Sequence, residues 1–338
     1  MVNDGSFEKA IELIAKSASV LITTHTRPDG DACGCMAALF EAMTALGKKV
    51  KLLLVSSLPE WYEFLFEEKV PVLGKDVSVE QLTQGRFGDF DLIIIVDTNS
   101  LSQLPKFDRY LKHADKPVLV IDHHVTSDGL GDVELVEPDA AAAGLILHDF
   151  FKYANWPLTE KIARALFVAI ATDTGWFQFS NTDSRVLRSC AELIEAGANP
   201  TQLYHHLYEN FSPQRFKLMI AMLNTLELHF DGRYATQYLR LRDFERSGAS
   251  YTDTENLINE CQRISTVEVA ALFVELKDGR IRCSLRSRGA VDVSQIAVKF
   301  GGGGHKNAAG AYLPAPLENA RRLVLAEVSE RLGLLDSQ

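Results

Sequence analysis

The sequence predicts an α/β protein: a doubly wound, mainly parallel sheet domain, then a smaller α/β domain, joined by a helical linker. Three observations predict it. Apolar runs of strand length at 20–24, 92–96 and 118–121 alternate with helical patterns up to Asp173, as parallel strands with crossover helices do. The run Leu92-Ile93-Ile94-Ile95-Val96 is apolar on both faces, which suits a central parallel strand. Beyond residue 228 the texture changes to strands and a hairpin signal at Asp278-Gly279.

In order, residues 6–18 carry Ile11, Leu13, Ile14 and Ala18 at helical spacing. The first strand, 20–24, runs into His25-Thr26-Arg27-Pro28-Asp29-Gly30-Asp31. A helix from Cys33 to Leu46 follows, with Gly47 placed to stop it. Strands are expected at 50–55, 92–96, 118–121 and 133–136, with short helical pieces at 61–66 and 78–83. Helices are expected at 140–153, 159–172 and 184–196, the last closed by Gly197, and in two pieces over 200–227, broken near Ser212-Pro213. Farther on, strands at 234–241, 266–276 and 280–287 and helices at 254–263, 293–299 and 317–332 complete the second domain. The expected boundaries are 1–185, a linker over 186–227, and 228–338.

The 338 residues suit two domains, and 46% hydrophobic with 24% charged residues suits ordinary cores. A net charge of −10 argues against non-specific duplex binding over the whole surface. It leaves room for an acidic site filled by cations. Of the five cysteines only Cys33 and Cys35 are close in sequence, a poor zinc signature. Reduced, buried thiols in a cytoplasmic protein are expected instead. No signal peptide or membrane span is evident.

The chemistry gathers where strands and helices end. His25, Asp29 and Asp31 follow the first strand; Asp97 ends the third; Asp122, His123 and His124 end the next; Asp173 ends a helix. Carboxyl edges of such sheets are where ligands bind. Each residue has an ordinary alternative: Asp31 could cap a helix, Asp173 a turn, and Asp122 could be a lone buried acid. Their recurrence at edge after edge favours a metal site, because converging carboxylates repel unless a cation intervenes. Asp97, from a central strand, is the candidate bridge between two divalent ions. Imidazole and carboxylate without thiolate suit Mn²⁺, and Mg²⁺ less strongly.

The order His25-x-x-Pro-Asp29-x-Asp31, Asp97, Asp122-His123-His124, Asp173 resembles the DHH phosphoesterase superfamily. The stretch Gly301-Gly302-Gly303-Gly304-His305-Lys306-Asn307-Ala308-Ala309-Gly310 is similar to the glycine-rich signature of the DHH-associated domain. Within the superfamily the chain most resembles the bacterial bifunctional oligoribonuclease and pAp phosphatase group. The resemblance implies one ion held by His25, Asp29 and Asp97 and another held by Asp31, Asp97, His123 and Asp173. It implies that His124 faces the phosphate, as donor or as acid toward the leaving oxygen, and that Asp122 orients an imidazole. Cys35 stands where relatives often have serine, and no consequence is expected, since the position follows the ligands.

Four glycines beside packed flanks suit backbone that approaches a ligand closely, so Gly302, Gly303, Gly304, His305 and Asn307 are candidate substrate contacts. On the strand after Asp278-Gly279, Arg280, Arg282, Arg286 and Arg288 share one face by the period of two. Arg286 and Arg288, nearest the glycines in sequence, are the candidate phosphate or base contacts. The function expected is two-metal hydrolysis of short oligoribonucleotides to nucleoside monophosphates, or of 3′-phosphoadenosine 5′-phosphate (pAp) to AMP and phosphate, in a cleft between the domains. The alternatives are a di-adenylate phosphodiesterase, a pyrophosphatase or polyphosphatase, and a non-catalytic RNA-binding or regulatory protein. The expected partners are short single-stranded RNA or a small nucleotide and no membrane; monomer and homodimer both stay open.

Overall fold

The computed structural model describes residues 2–209 and 211–333, and at His305 the backbone alone. The chain divides into two compact units between residues 209 and 210.

The first unit runs α1 (Asp4–Lys16), β1 (Ser19–Thr24), α2 (Gly30–Ala45), β2 (Lys49–Leu53), α3 (Val79–Thr83), β3 (Leu92–Val96), α4 (Phe107–Leu111), β4 (Val118–Asp122), β5 (Val133–Val136), α5 (Ala143–Tyr153), α6 (Glu160–Asp173), α7 (Ser184–Glu195) and α8 (Pro200–Tyr208). Its sheet has the order β2-β1-β3-β4-β5, every pair parallel. The strand period of two sends Val20, Ile22, Ile94, Val96, Leu119 and Ile121 into a core with α2, α5 and α6. Leu21, Ile93, Ile95, Val118 and Val120 go to the opposite face, with Leu82, Phe107 and Tyr110. The sheet is therefore covered on both faces, as predicted. After β1 the chain goes to β2 on one side and returns to β3 on the other. This opens a crevice at the carboxyl ends of β1 and β3, where His25 and Asp97 stand.

The helix after β1 starts at Gly30, earlier than the expected Cys33. Asp29 Oδ1 accepts the amides of Asp31 and Ala32, both at 3.1 Å, and so caps the helix. Asp31 is thereby carried on the first turn of α2. Helices α2 and α6 pack very closely: a Cβ on Gly34 would lie 2.4 Å from the Ala165 carbonyl oxygen, and one on Gly30 2.2 Å from Thr172 Oγ1. Glycine at these two positions brings the start of α2 against the end of α6.

The second unit runs α9 (Pro213–Leu223), β6 (Glu227–His229), β7 (Tyr234–Leu239), α10 (Leu241–Ser247), β8 (Val269–Glu275), β9 (Arg280–Ser287), α11 (Val293–Lys299), β10 (Gly303–His305), β11 (Ala308–Pro314) and α12 (Leu317–Arg331). Its mixed sheet has the order β10-β11-β9-β8-β7-β6, with α11 and α12 on one face and α9 on the other. The expected linker, 186–227, is helical, but its residues are shared out. Val186, Cys190, Leu193, Leu203 and Leu207 join the first unit's core, and Leu218 and Met222 join the second's.

One expectation is corrected here. Residues 254–263 do not form an α-helix but fall within 3₁₀ turns at Tyr251–Thr254 and Leu257–Arg263. Asn256 between them is left-handed, at φ 59°, which no α-helix can carry through. The glycine-rich stretch forms a β-hairpin, with Gly304 opposite Ala309. A Cβ on Gly302 would lie 2.1 Å from the Gly310 carbonyl oxygen, and one on Gly304 2.5 Å from that of Ala308. At these two positions, then, the close approach is to the neighbouring strand.

Candidate metal centre

Each expected ligand stands at the end of a buried element. β1 delivers His25, the turn and first turn of α2 deliver Asp29 and Asp31, β3 delivers Asp97, β4 delivers Asp122, His123 and His124, and α6 delivers Asp173. Asp97 leaves its strand in the left-handed region, at φ 58°. Held there by its amide bond to the Ile121 carbonyl, at 2.8 Å, it is strained backbone of the kind that clusters at functional sites.

Asp97 Oδ2 lies 3.2 Å from His25 Nε2, which is also 3.9 Å from Asp29 Oδ1. Asp97 Oδ1 lies 3.5 Å from His123 Nε2, which is 3.8 Å from Asp31 Oδ2 and 3.5 Å from Asp173 Oδ2. The two oxygens of one carboxylate thus face two different donor sets. His25, Asp29 and Asp97 converge in one, and Asp31, His123 and Asp173 in the other, with ligand atoms of each trio within 4.8 Å of one another.

The imidazoles are oriented from behind. His25 Nδ1 is 2.9 Å from the Thr26 carbonyl and His123 Nδ1 is 3.1 Å from that of Ala140. Donating Nδ1–H to those carbonyls leaves each Nε2 pointing inward. Asp122 Oδ1 accepts the amide of His123 at 2.8 Å and the Nδ1–H of His124 at 2.7 Å, so the imidazole that Asp122 orients is that of His124. Half of the His124 side chain is exposed.

Without metal the cluster holds protons instead. Burial alone would lower the pKa of both inward histidines. The carboxylates reverse this: Asp29 and Asp97 carry His25 up to about 11, and Asp97, Asp31 and Asp173 carry His123 up to about 10. Burial, with Asp97 nearby, raises Asp173 to about 7 and Asp31 well above the carboxylate range. Asp29 is lowered: burial opposes this, but the His25 charge and two amides prevail. His124 is raised by its bond to Asp122, against burial. Asp97 Oδ1 is buried with no hydrogen-bond partner. A buried lone pair facing a ring of imidazole and carboxylate donors fits a divalent cation.

Sequence reasoning missed the groups that are backbone. Asp31, 1% exposed, receives the amides of Ala143 at 2.6 Å and Gly144 at 2.8 Å, from the start of α5. It also receives the Cys35 thiol at 3.3 Å. Cys35, one turn of helix after Asp31, is therefore hydrogen-bonded to an expected ligand. Burial and the Asp31 charge push that thiol far up, so it stays a neutral donor.

In the second unit, Arg280, Arg282, Ser284 and Arg286 share the less buried face of β9, while Ile281, Cys283 and Leu285 enter the core. Arg280 pairs with Asp278, and Arg282 bonds the Tyr251 hydroxyl. Arg288 donates to the carbonyls of Ser265, at 2.9 Å, and Gln262. Arg286 reaches only the Leu285 carbonyl, at 3.1 Å, and has no acidic partner among the described residues. Burial and the neighbouring Arg282 lower its pKa. The sheet brings Arg286 opposite Ala308, and the Ser287 amide bonds the Asn307 carbonyl at 2.9 Å. Arg286, the hairpin backbone at Gly303, Gly304 and His305, and Asn307 therefore share one end of the sheet. The side chain of His305 lies outside the described structure.

Residues 19–170 match the family described as "DHH family, N-terminal domain", and residues 231–333 match the "DHHA1 domain". The bifunctional oligoribonuclease and PAP phosphatase NrnA of Thermus thermophilus is 32% identical over 95% of this chain and 92% of its own. The protein of the same name from Bacillus subtilis is 28% identical over 90% of this chain and 92% of its own. The solved structure of an exopolyphosphatase-related protein from Bacteroides fragilis matches with a TM-score of 0.88 at 20% identity, covering 100% of this chain and 99% of that one. At that identity the match establishes the fold. No helix among the described residues is long and apolar enough to cross a membrane.

Proposed function

This chain belongs to the DHH family, with a DHHA1 domain after the N-terminal one, and on that premise we propose that it is a two-metal phosphoesterase. Its substrates are short oligoribonucleotides, released as nucleoside 5′-monophosphates, and pAp, converted to AMP and phosphate. The observation that carries the reading is the division of the Asp97 carboxylate, one oxygen toward His25 and the other toward His123. The names of the relatives, at 32% and 28% identity over nearly the whole chain, support the substrate class.

His25, Asp29 and Asp97 would hold one divalent ion, and Asp31, Asp97, His123 and Asp173 the other. The donor set suits Mn²⁺ best. Such ions lower the pKa of bound water and offset the charge that develops on the phosphoryl oxygens. His124, whose pKa is raised by its bond to Asp122, donates to the phosphate or the leaving oxygen. Arg286, a half-buried cation that makes no direct ion pair among the described residues, takes a substrate phosphate, and Gly302, Gly303, Gly304, His305 and Asn307 line the same end of that sheet. Five free, buried cysteines suit a reducing cytoplasm.

The test is one assay panel in Mn²⁺: di- to pentaribonucleotides, pAp, cyclic and linear di-adenylate, and pyrophosphate. Turnover of short RNA and pAp is expected to exceed the others. Preferred turnover of di-adenylates or pyrophosphate would replace the substrate assignment, and tight RNA binding without cleavage would make the chain a binding protein.

A further inference from the structure

We propose that Phe179 is a platform on which a nucleobase of the substrate stacks; the proposal rests on the phosphoesterase reading and assigns the group that holds the base beside the metal centre. Helix α6 ends at Asp173, and the chain then turns through left-handed residues at Gly175, Trp176 and Phe177, with φ of 57°, 56° and 67°. Successive left-handed residues with bulky side chains are disfavoured sterically, and such backbone persists only where its surroundings hold it.

The surroundings here are well defined. Thr174 is fully buried, and its carbonyl accepts the amides of Gln178 and Phe179, both at 3.0 Å. The Trp176 amide reaches back to Ala171 at 2.6 Å. Asn181 Nδ2 bridges the carbonyls of Asp173 and Ala141, each at 3.2 Å.

The turn sorts its aromatic rings. Trp176 and Phe177 point inward and meet Phe167 edge-on, with centroids 5.9 and 6.0 Å away. Phe179 points outward and is 59% exposed. Its ring lies on Gly175: a Cβ there would come within 2.5–2.7 Å of ring carbons. Among the described residues no other ring packs on it. A flat apolar face is thus seated on the backbone of Gly175, which is two residues, at most about 7 Å of chain, beyond the metal ligand Asp173. A nucleotide whose phosphate sits at the metal centre brings its base within reach of that distance. Stacking needs no hydrogen-bond pattern, so every base is accepted, as an enzyme that clears mixed short RNA requires.

The test is equilibrium binding of AMP and of ribose 5-phosphate to the full Mn²⁺-loaded chain, in wild type, Phe179→Ala, Phe179→Leu and Phe179→Trp. Loss of the ring should weaken AMP binding by roughly 5- to 150-fold and leave ribose 5-phosphate unaffected. Phe179→Trp should bind AMP at least as well as wild type, and Phe179→Leu, apolar but without a π face, should behave like Phe179→Ala. Equal changes for both ligands, no change for AMP, or full binding by Phe179→Leu would overturn the proposal. Hydrolysis of a dinucleotide by wild type is measured alongside. A protein that binds AMP in a Phe179-dependent way yet cleaves nothing would support the platform and sink the phosphoesterase reading.

Discussion

His25 Nε2 stands 3.2 Å from Asp97 Oδ2, close enough for both atoms to serve one ion. The other Asp97 oxygen faces His123 at 3.5 Å, so this carboxylate belongs to both donor sets. Asp97→Asn keeps the size and removes the charge. It should reduce occupancy at both positions, whereas loss of Asp29 should affect only one. Ions of this kind supply several kcal/mol of transition-state stabilisation, and a loss of about 4 kcal/mol is about 10³-fold in turnover. Metal analysis of the purified variant checks it: two tightly bound ions per chain would remove Asp97 from its bridging role.

The protons of the metal-free cluster predict an unusual stability profile. The folded-state pKa values of His25 and His123, about 11 and about 10, lie above the ordinary histidine value. Their contribution is complete below about pH 6.5 and disappears as pH rises through those values. Asp173, raised to about 7, acts in the same sense at lower pH. In EDTA the melting temperature should therefore fall between about pH 6 and about pH 9. Ions displace these protons, so Mn²⁺ should bind more tightly as pH rises, release protons and cancel the fall. Thermal melts across that range, with and without Mn²⁺, decide the matter; coincident flat curves would mean that the cluster is not a metal site.

How much of this the sequence could carry depended on whether the group concerned was a side chain. Leu92–Val96 reads as a buried strand because both its faces are apolar, and Asp97 is conspicuous because it breaks that run. The same holds for Asp122-His123-His124 after β4. The support of Asp31 was illegible, since it comes from the backbone of Ala143 and Gly144, which carry no signature of their own. Composition suggested backbone that approaches a ligand, whereas spacing across a strand pair decides Gly302 and Gly304. The separate fates of Arg286 and Arg288, alike by period, are set by Ser265 and Gln262, which are remote from both in sequence.

Gly34 offers a test of how the helices set the centre. Its missing Cβ lets α2 approach the Ala165 carbonyl. Gly34→Ala should force the helices apart at a cost of about 1–3 kcal/mol, or roughly 2–12 °C in melting temperature for a unit of this size. Asp31 rides on α2 and Asp173 ends α6, so the ion shared with His123 should weaken more than the one beside His25. A stepwise Mn²⁺ titration shows this. An equal loss of both ions, or none, would mean that helix spacing does not set the second donor set.

Arg286 and Arg288 should separate grip from stability. Among the described residues Arg286 makes no direct ion pair and hydrogen-bonds only its own strand's Leu285 carbonyl, so Arg286→Ala should leave the fold nearly as stable. Losing one charge-assisted hydrogen bond to a substrate phosphate costs roughly 1.5–3 kcal/mol. That is about 10- to 150-fold in kcat/KM for pAp or a dinucleotide. Both ions should remain, and bis-p-nitrophenyl phosphate, which needs only the metal centre, should be spared. Arg288, by contrast, ties down the carbonyls of Ser265 and Gln262 at the end of a 3₁₀ turn. Arg288→Ala should lower the melting temperature and affect turnover less. Melting curves, metal content and kcat/KM on both classes of substrate, measured for the two variants together, give the answer. Equal losses on the simple ester and on pAp in Arg286→Ala would move Arg286 into the chemistry of the metal centre. A larger kinetic loss in Arg288→Ala would exchange the roles of the two arginines.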